Sequence, residues 1–144
     1  MLALVVPACA LTESRHFGVS VSVDGALMVW FRHCVEPPGW PEPQRVSVYS
    51  LGGGGQRLWA IVDDSPNRHD FPTALEVGET PAGYRTDIRL LEPIPDEGRF
   101  RVSFSAGEAW YEHVEFERTE LRADMVLTFD RSFVSPAGFR RQTC

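Results

Sequence analysis

Short runs in which every second residue is apolar recur along almost the whole chain, and this feature restricts its fold most. Phe17, Val19 and Val21 alternate with Gly18, Ser20 and Ser22, and Val46 and Val48 are spaced in the same way. So are Leu58, Ala60 and Val62; Tyr84, Thr86, Ile88 and Leu90; Phe100, Val102 and Phe104; Val114 and Phe116; and Met125, Leu127 and Phe129. A period of two sends successive side chains to opposite faces of a strand. Turn residues separate the runs: Asp24-Gly25, glycines 52–55, Pro81-Ala82-Gly83, Asp96-Glu97-Gly98 and Ala106-Gly107. About eight short strands at this spacing predict an all-β fold, an antiparallel β-sandwich. Residues 117–124 alone have helical composition, and they are too few to change the class. At 144 residues the chain is one domain's worth and large enough to bury a core without metals.

The first hairpin can be read to the residue. A two-residue turn at Asp24-Gly25 would oppose Val21 to Met28 and scatter the apolar side chains. A three-residue loop, Val23-Asp24-Gly25, places Gly25 in the left-handed conformation that a type I turn plus bulge requires. It pairs Val21 with Leu27, Val19 with Val29 and Phe17 with Phe31 on one face. Register follows the apolar set, so the second pairing is predicted. Ala26, Met28 and Trp30 then share the other face, which is expected to be partly covered.

Composition excludes some function classes. The net charge is -6, and every basic residue is arginine, with no run of them. Nucleic acid, which requires clustered cations, is a poor partner, and so is an anionic lipid surface.

One segment points to a kind of sandwich. Asp96-Glu97-Gly98-Arg99-Phe100-Arg101-Val102 resembles the D-x-G-x-Y-x-C run of immunoglobulin-like domains, in which the aromatic closes a corner between strands. Phe100 stands for the tyrosine, without its hydroxyl, and Val102 for the cysteine, so no inter-sheet disulfide is implied there. A longer similarity runs over roughly residues 45–130. Trp59-Ala60-Ile61, the turn Gly78-Glu79-Thr80-Pro81-Ala82-Gly83-Tyr84 and the strand from Phe100 to Phe104 resemble small uncharacterised lipoprotein-type proteins of actinobacteria. That resemblance implies an envelope location and brings no activity with it.

The N-terminus and the cysteines bear on the same point. Met-Leu-Ala-Leu-Val-Val-Pro-Ala leads into Cys9 and resembles the end of a bacterial lipoprotein signal, although it has no basic n-region. Residues 1–9 are therefore read as the remnant of such a signal or an N-terminal stub, and residues 10–144 as a single sandwich domain. With Cys9 lipidated, Cys34 and Cys144 remain as a pair that an exported protein would oxidise. Residues 133–143 are only weakly periodic and are expected to fray unless Cys144 tethers them. Closing so long a loop would stabilise by about 4–5 kcal/mol on the chain-entropy model.

Candidate sites are few. Asp63, Asp64 and Asp70, with Asn67, gather oxygen ligands in residues 63–70, which would suit a calcium ion, but the spacing is not that of an EF-hand and the residue types are those of a surface turn. His16, His33, His69 and His113 form no zinc-binding pair. Two carboxylates such as Glu112 and Glu115 could meet in the fold, but acids this common meet by chance, and a glycosidase-type pair needs an apolar cleft that the sequence does not show. Pro37-Pro38-Gly39-Trp40-Pro41-Glu42-Pro43 favours an extended loop, and Trp40, flanked by Pro38 and Pro41, is the candidate anchor for a protein or a sugar ring. No catalytic motif and no cofactor are implied. The sequence predicts a non-enzymatic sandwich of the cell envelope or exterior that binds another protein or a surface polymer. Membrane association is expected only through a lipid anchor at Cys9. The alternatives are a carbohydrate-binding module, which needs aromatics aligned on one exposed face, and a secreted hydrolase with an unrecognised site.

Overall fold

The computed structural model of the chain describes residues 16–32, 42–64, 71–106 and 110–141. Ten strands form two antiparallel sheets of five. Sheet A has the order β10-β9-β1-β2-β5, built from β1 (Phe17–Val21), β2 (Leu27–Phe31), β5 (Ala74–Glu76), β9 (Val126–Thr128) and β10 (Phe133–Val134). Sheet B has the order β6-β4-β3-β7-β8, built from β3 (Arg45–Ser50), β4 (Arg57–Asp63), β6 (Tyr84–Ile88), β7 (Arg99–Ala106) and β8 (Trp110–Glu117). The sheets pack face to face. Phe17 of β1 stacks on Phe104 of β7 with ring centroids 3.7 Å apart, and Val19, Val29, Val46, Val48 and Val102 fill the layer between them without exposure. This is the predicted antiparallel sandwich, with ten strands where the runs indicated about eight.

The first hairpin has the predicted register. Phe17 faces Phe31, Val19 faces Val29 and Val21 faces Leu27, and Gly25 has φ 84°. Gly25 donates its N–H to the Ser22 carbonyl and Ala26 bonds the Ser22 hydroxyl, which closes the tip. The opposite face is covered, also as expected. A short helix, α1 (Pro136–Arg141), seats Phe139 against Trp30 and Val126 in a second, smaller core. The Trp30 indole N–H is satisfied by the Ser20 hydroxyl at 2.8 Å. Gly18 makes this close approach possible, because a Cβ there would come 2.2 Å from Val126 Cγ1 and 3.0 Å from the Leu127 carbonyl oxygen.

One expectation is corrected. Through Arg141 the C-terminal segment is ordered by β10 and by the buried Phe139, so this part needs no tether to hold it. In β4 both faces are buried: Trp59 and Ile61 enter the core between the sheets, Ala60 and Val62 are buried on the other face, and Leu58 packs at the border of the core. Trp59 and Ile61 oppose Val48 and Val46 of β3, and a bulge between Val48 and Tyr49 takes up the extra residue. The helical composition of residues 117–124 yields one 3-10 turn, Arg118–Glu120. None of the described helices is long and apolar enough to cross a membrane.

Candidate functional site

Several predicted site residues fall outside the described residues: Trp40, Pro38 and Pro41, Asp70, Cys9, and the Cys34–Cys144 pair. Asp63 and Asp64 are described. Asp63 closes β4 opposite Tyr84, and the Asp64 carboxylate lies 3.4 Å from Arg85 Nε. Among the described residues no group of three or more His, Cys, Asp or Glu is arranged to hold a metal ion. Glu112 and Glu115 do not meet, because they occupy opposite faces of β8. Glu112 is buried on the core side, whereas Glu115 reaches outward to Arg101 and Arg99. The Arg101 guanidinium holds the Glu115 carboxyl below its ordinary range.

The two ends of the sandwich differ in character. At the end away from the first hairpin, His16, Arg32 and Glu112 are all buried. Burial, with the Arg32 cation nearby, lowers the His16 pKa to about 4, so the imidazole is neutral at pH 7. Tyr84 donates its hydroxyl to the Pro43 carbonyl, and burial beside Glu42 and Asp63 pushes its pKa up. These groups hold the end together: the Glu42 carboxylate accepts the Phe71 amide at 2.8 Å, and Phe71 packs edge-on against both Phe31 and Tyr84.

At the hairpin end the arrangement is open. Three segments distant in sequence line a groove of about 520 Å³: the tip of the first hairpin, the end of β5, and residues 90–96. Leu27 and Val77 are buried in its floor, where Leu90 and Ile94 pack against the border of the main core. The Val77 amide donates to the Leu27 carbonyl at 2.9 Å and fixes β5 beside the hairpin. Gly78 turns away at φ 107°, where a Cβ would lie 3.3 Å from Leu90. Arg118, almost wholly buried, donates to the Gly25 carbonyl and stands 3.9 Å from the Asp96 carboxylate, so it ties the tip to the third wall.

The rim combines two chemistries. Asp24, Glu76, Glu92 and Asp96 are exposed around the apolar floor. Val23 and Leu91, 91% and 87% exposed, are the most exposed large hydrophobic residues among those described, and both stand at this end. A preformed concave site with an apolar floor and a few polar groups is the usual form of a binding site. Sequence reading missed it because no single run carries it; the only local signal is Leu91-Glu92-Pro93-Ile94-Pro95, an apolar pair held by two prolines.

A third surface bears on the carbohydrate alternative. Tyr111, 59% exposed, and Phe129, 44% exposed, flank His113 outside β8. Their rings are inclined to His113 at 43° and 86°, and do not make one flat platform. No protein-family model, no curated protein and no solved structure matches the chain.

Proposed function

We propose that the protein is a non-enzymatic β-sandwich of the cell envelope or exterior that binds another protein in the groove at its hairpin end. The observation that carries this reading is one preformed groove lined by the exposed Leu91, with the exposed Val23 next to it at the tip of the first hairpin. Exposed apolar side chains cost solubility, and their grouping at a concavity is typical of an interaction surface. Arg118 and the two prolines hold the walls in place, which reduces the ordering cost that a partner meets on docking. A protein partner is favoured over a sugar because the Tyr111, His113 and Phe129 rings are not coplanar. The envelope location rests on the residues that lead into Cys9 and on the lipoprotein-type resemblance.

Selection of displayed random peptides on the purified protein tests this reading. Enriched peptides are expected to lose at least about tenfold in affinity, roughly 1.4 kcal/mol, for the Leu91→Asp variant. Leu91 is exposed, so the variant's melting temperature should not move. Peptides that bind wild type and variant equally, or a selection that enriches none, would contradict it.

A further inference from the structure

We infer that the occupant of this groove is an extended segment of the partner in which lysine or arginine residues flank an apolar side chain; this rests on the binding reading above. Three observations specify that chemistry. First, Asp24, Glu76 and Glu92 form no ion pair among the described residues, and the guanidinium nearest the fourth carboxylate, that of Arg118, already donates to the Gly25 carbonyl. Other arginines are engaged elsewhere: Arg45 with Asp87 at 2.7 Å, Arg85 with Asp64, Arg99 with Glu115, and Arg131 with Glu120 at 2.7 Å. Around the apolar floor, Asp24, Glu76 and Glu92 therefore present negative charge that no described arginine pairs with, and cations on the docking segment would be complementary to it.

Second, the floor is apolar and lies between those carboxylates, so an apolar residue placed between the basic ones completes the fit. Third, the backbone of residues 91–95 makes no backbone hydrogen bond among the described residues. Pro93 and Pro95 favour an extended path there. The C=O groups of this wall, with the N–H groups of Leu91, Glu92 and Ile94, suit a second extended chain lying along it, as in recognition by added strands.

The test uses three short labelled peptides that alternate leucine with arginine, with glutamine or with glutamate, followed by fluorescence anisotropy at low and high salt. Wild-type protein is expected to bind the arginine peptide at least about tenfold tighter than the other two, and added salt should weaken that binding. The Glu76→Gln/Glu92→Gln double variant, conservative at two exposed positions, should lose about tenfold for the arginine peptide alone. If the glutamine or glutamate peptide binds as tightly, and its binding depends on Leu91, the cationic occupant is overturned while the groove remains a binding site. An arginine peptide indifferent to the double variant also overturns it. If binding of no peptide depends on Leu91, both this inference and the binding reading fall.

Discussion

Replacing Phe139 with alanine is expected to destabilise the protein by about 3–5 kcal/mol, the range found when a fully buried phenylalanine is removed. Helix α1 has six residues, too few to be stable on its own, so its place on sheet A depends on what it buries. Phe139 is fully buried, with its ring 6.0 Å from Trp30 in an edge-to-face contact, over the space left by the missing side chain of Gly18. Truncation leaves a cavity there and exposes Trp30. Urea unfolding followed by intrinsic fluorescence measures the loss, and proteolysis should cut within α1 much faster than in wild type. Phe129→Ala is the control: its ring is 44% exposed, and it should cost well under half as much. A loss below about 1 kcal/mol for Phe139→Ala would mean that the helix does not hold this face.

The second large effect is a dependence on pH above the carboxylate range. His16 has a pKa of about 4 in the fold against 6.5 in the unfolded chain, because burial strips water from the imidazolium and the Arg32 cation repels it. The unfolded state takes up the proton first. Stability is therefore complete above pH 6.5 and falls as the pH drops from there towards 4, where the folded protein is protonated too. The loss is on the order of 3 kcal/mol. Two ion-paired carboxylates act at lower pH. Hydrogen bonds from Arg45 and Arg101 hold the Asp87 and Glu115 carboxyls below their usual range, and whatever they contribute is lost only as the pH falls through those lowered values. Urea midpoints measured from pH 7 to pH 5 should slope downward for wild type and be nearly flat for His16→Gln. The slope is what matters, so a lower overall stability of the variant does not obscure the result.

The first hairpin was legible to the residue because two constraints agree there. Gly25 satisfies the bulged turn, and only one register gathers Phe17, Val19, Val21, Leu27, Val29 and Phe31 on one face. The cover over Trp30 was legible for the same reason, since that register leaves a large aromatic on the far side. Strand β4 was not. Leu58-Trp59-Ala60-Ile61-Val62 is apolar at every position, so alternation cannot tell the core face from the outer one. The bulk of Trp59 and Ile61 decided it. Helix α1 escaped because six residues carry less than two turns of pattern, and its order comes from tertiary packing. The groove was illegible because its walls meet only after β2, β5 and the approach to β7 are in place. The predicted anchor, Trp40, and the metal-type ligand Asp70 lie outside the described residues, while Asp63 ends β4 and Asp64 follows it.

Whether a partner docks at the hairpin end is read most directly from amide chemical shifts of isotope-labelled protein titrated with the tightest selected peptide. The shifts should concentrate on Asp24 to Leu27, Glu76 and Val77, and on Leu90 to Glu92, Ile94 and Asp96, with side-chain contacts to Leu91. They should disappear in the Leu91→Asp variant. Shifts gathered instead around Tyr111, His113 and Phe129, with the groove silent, would contradict the assignment and move the binding surface to the outer edge of sheet B.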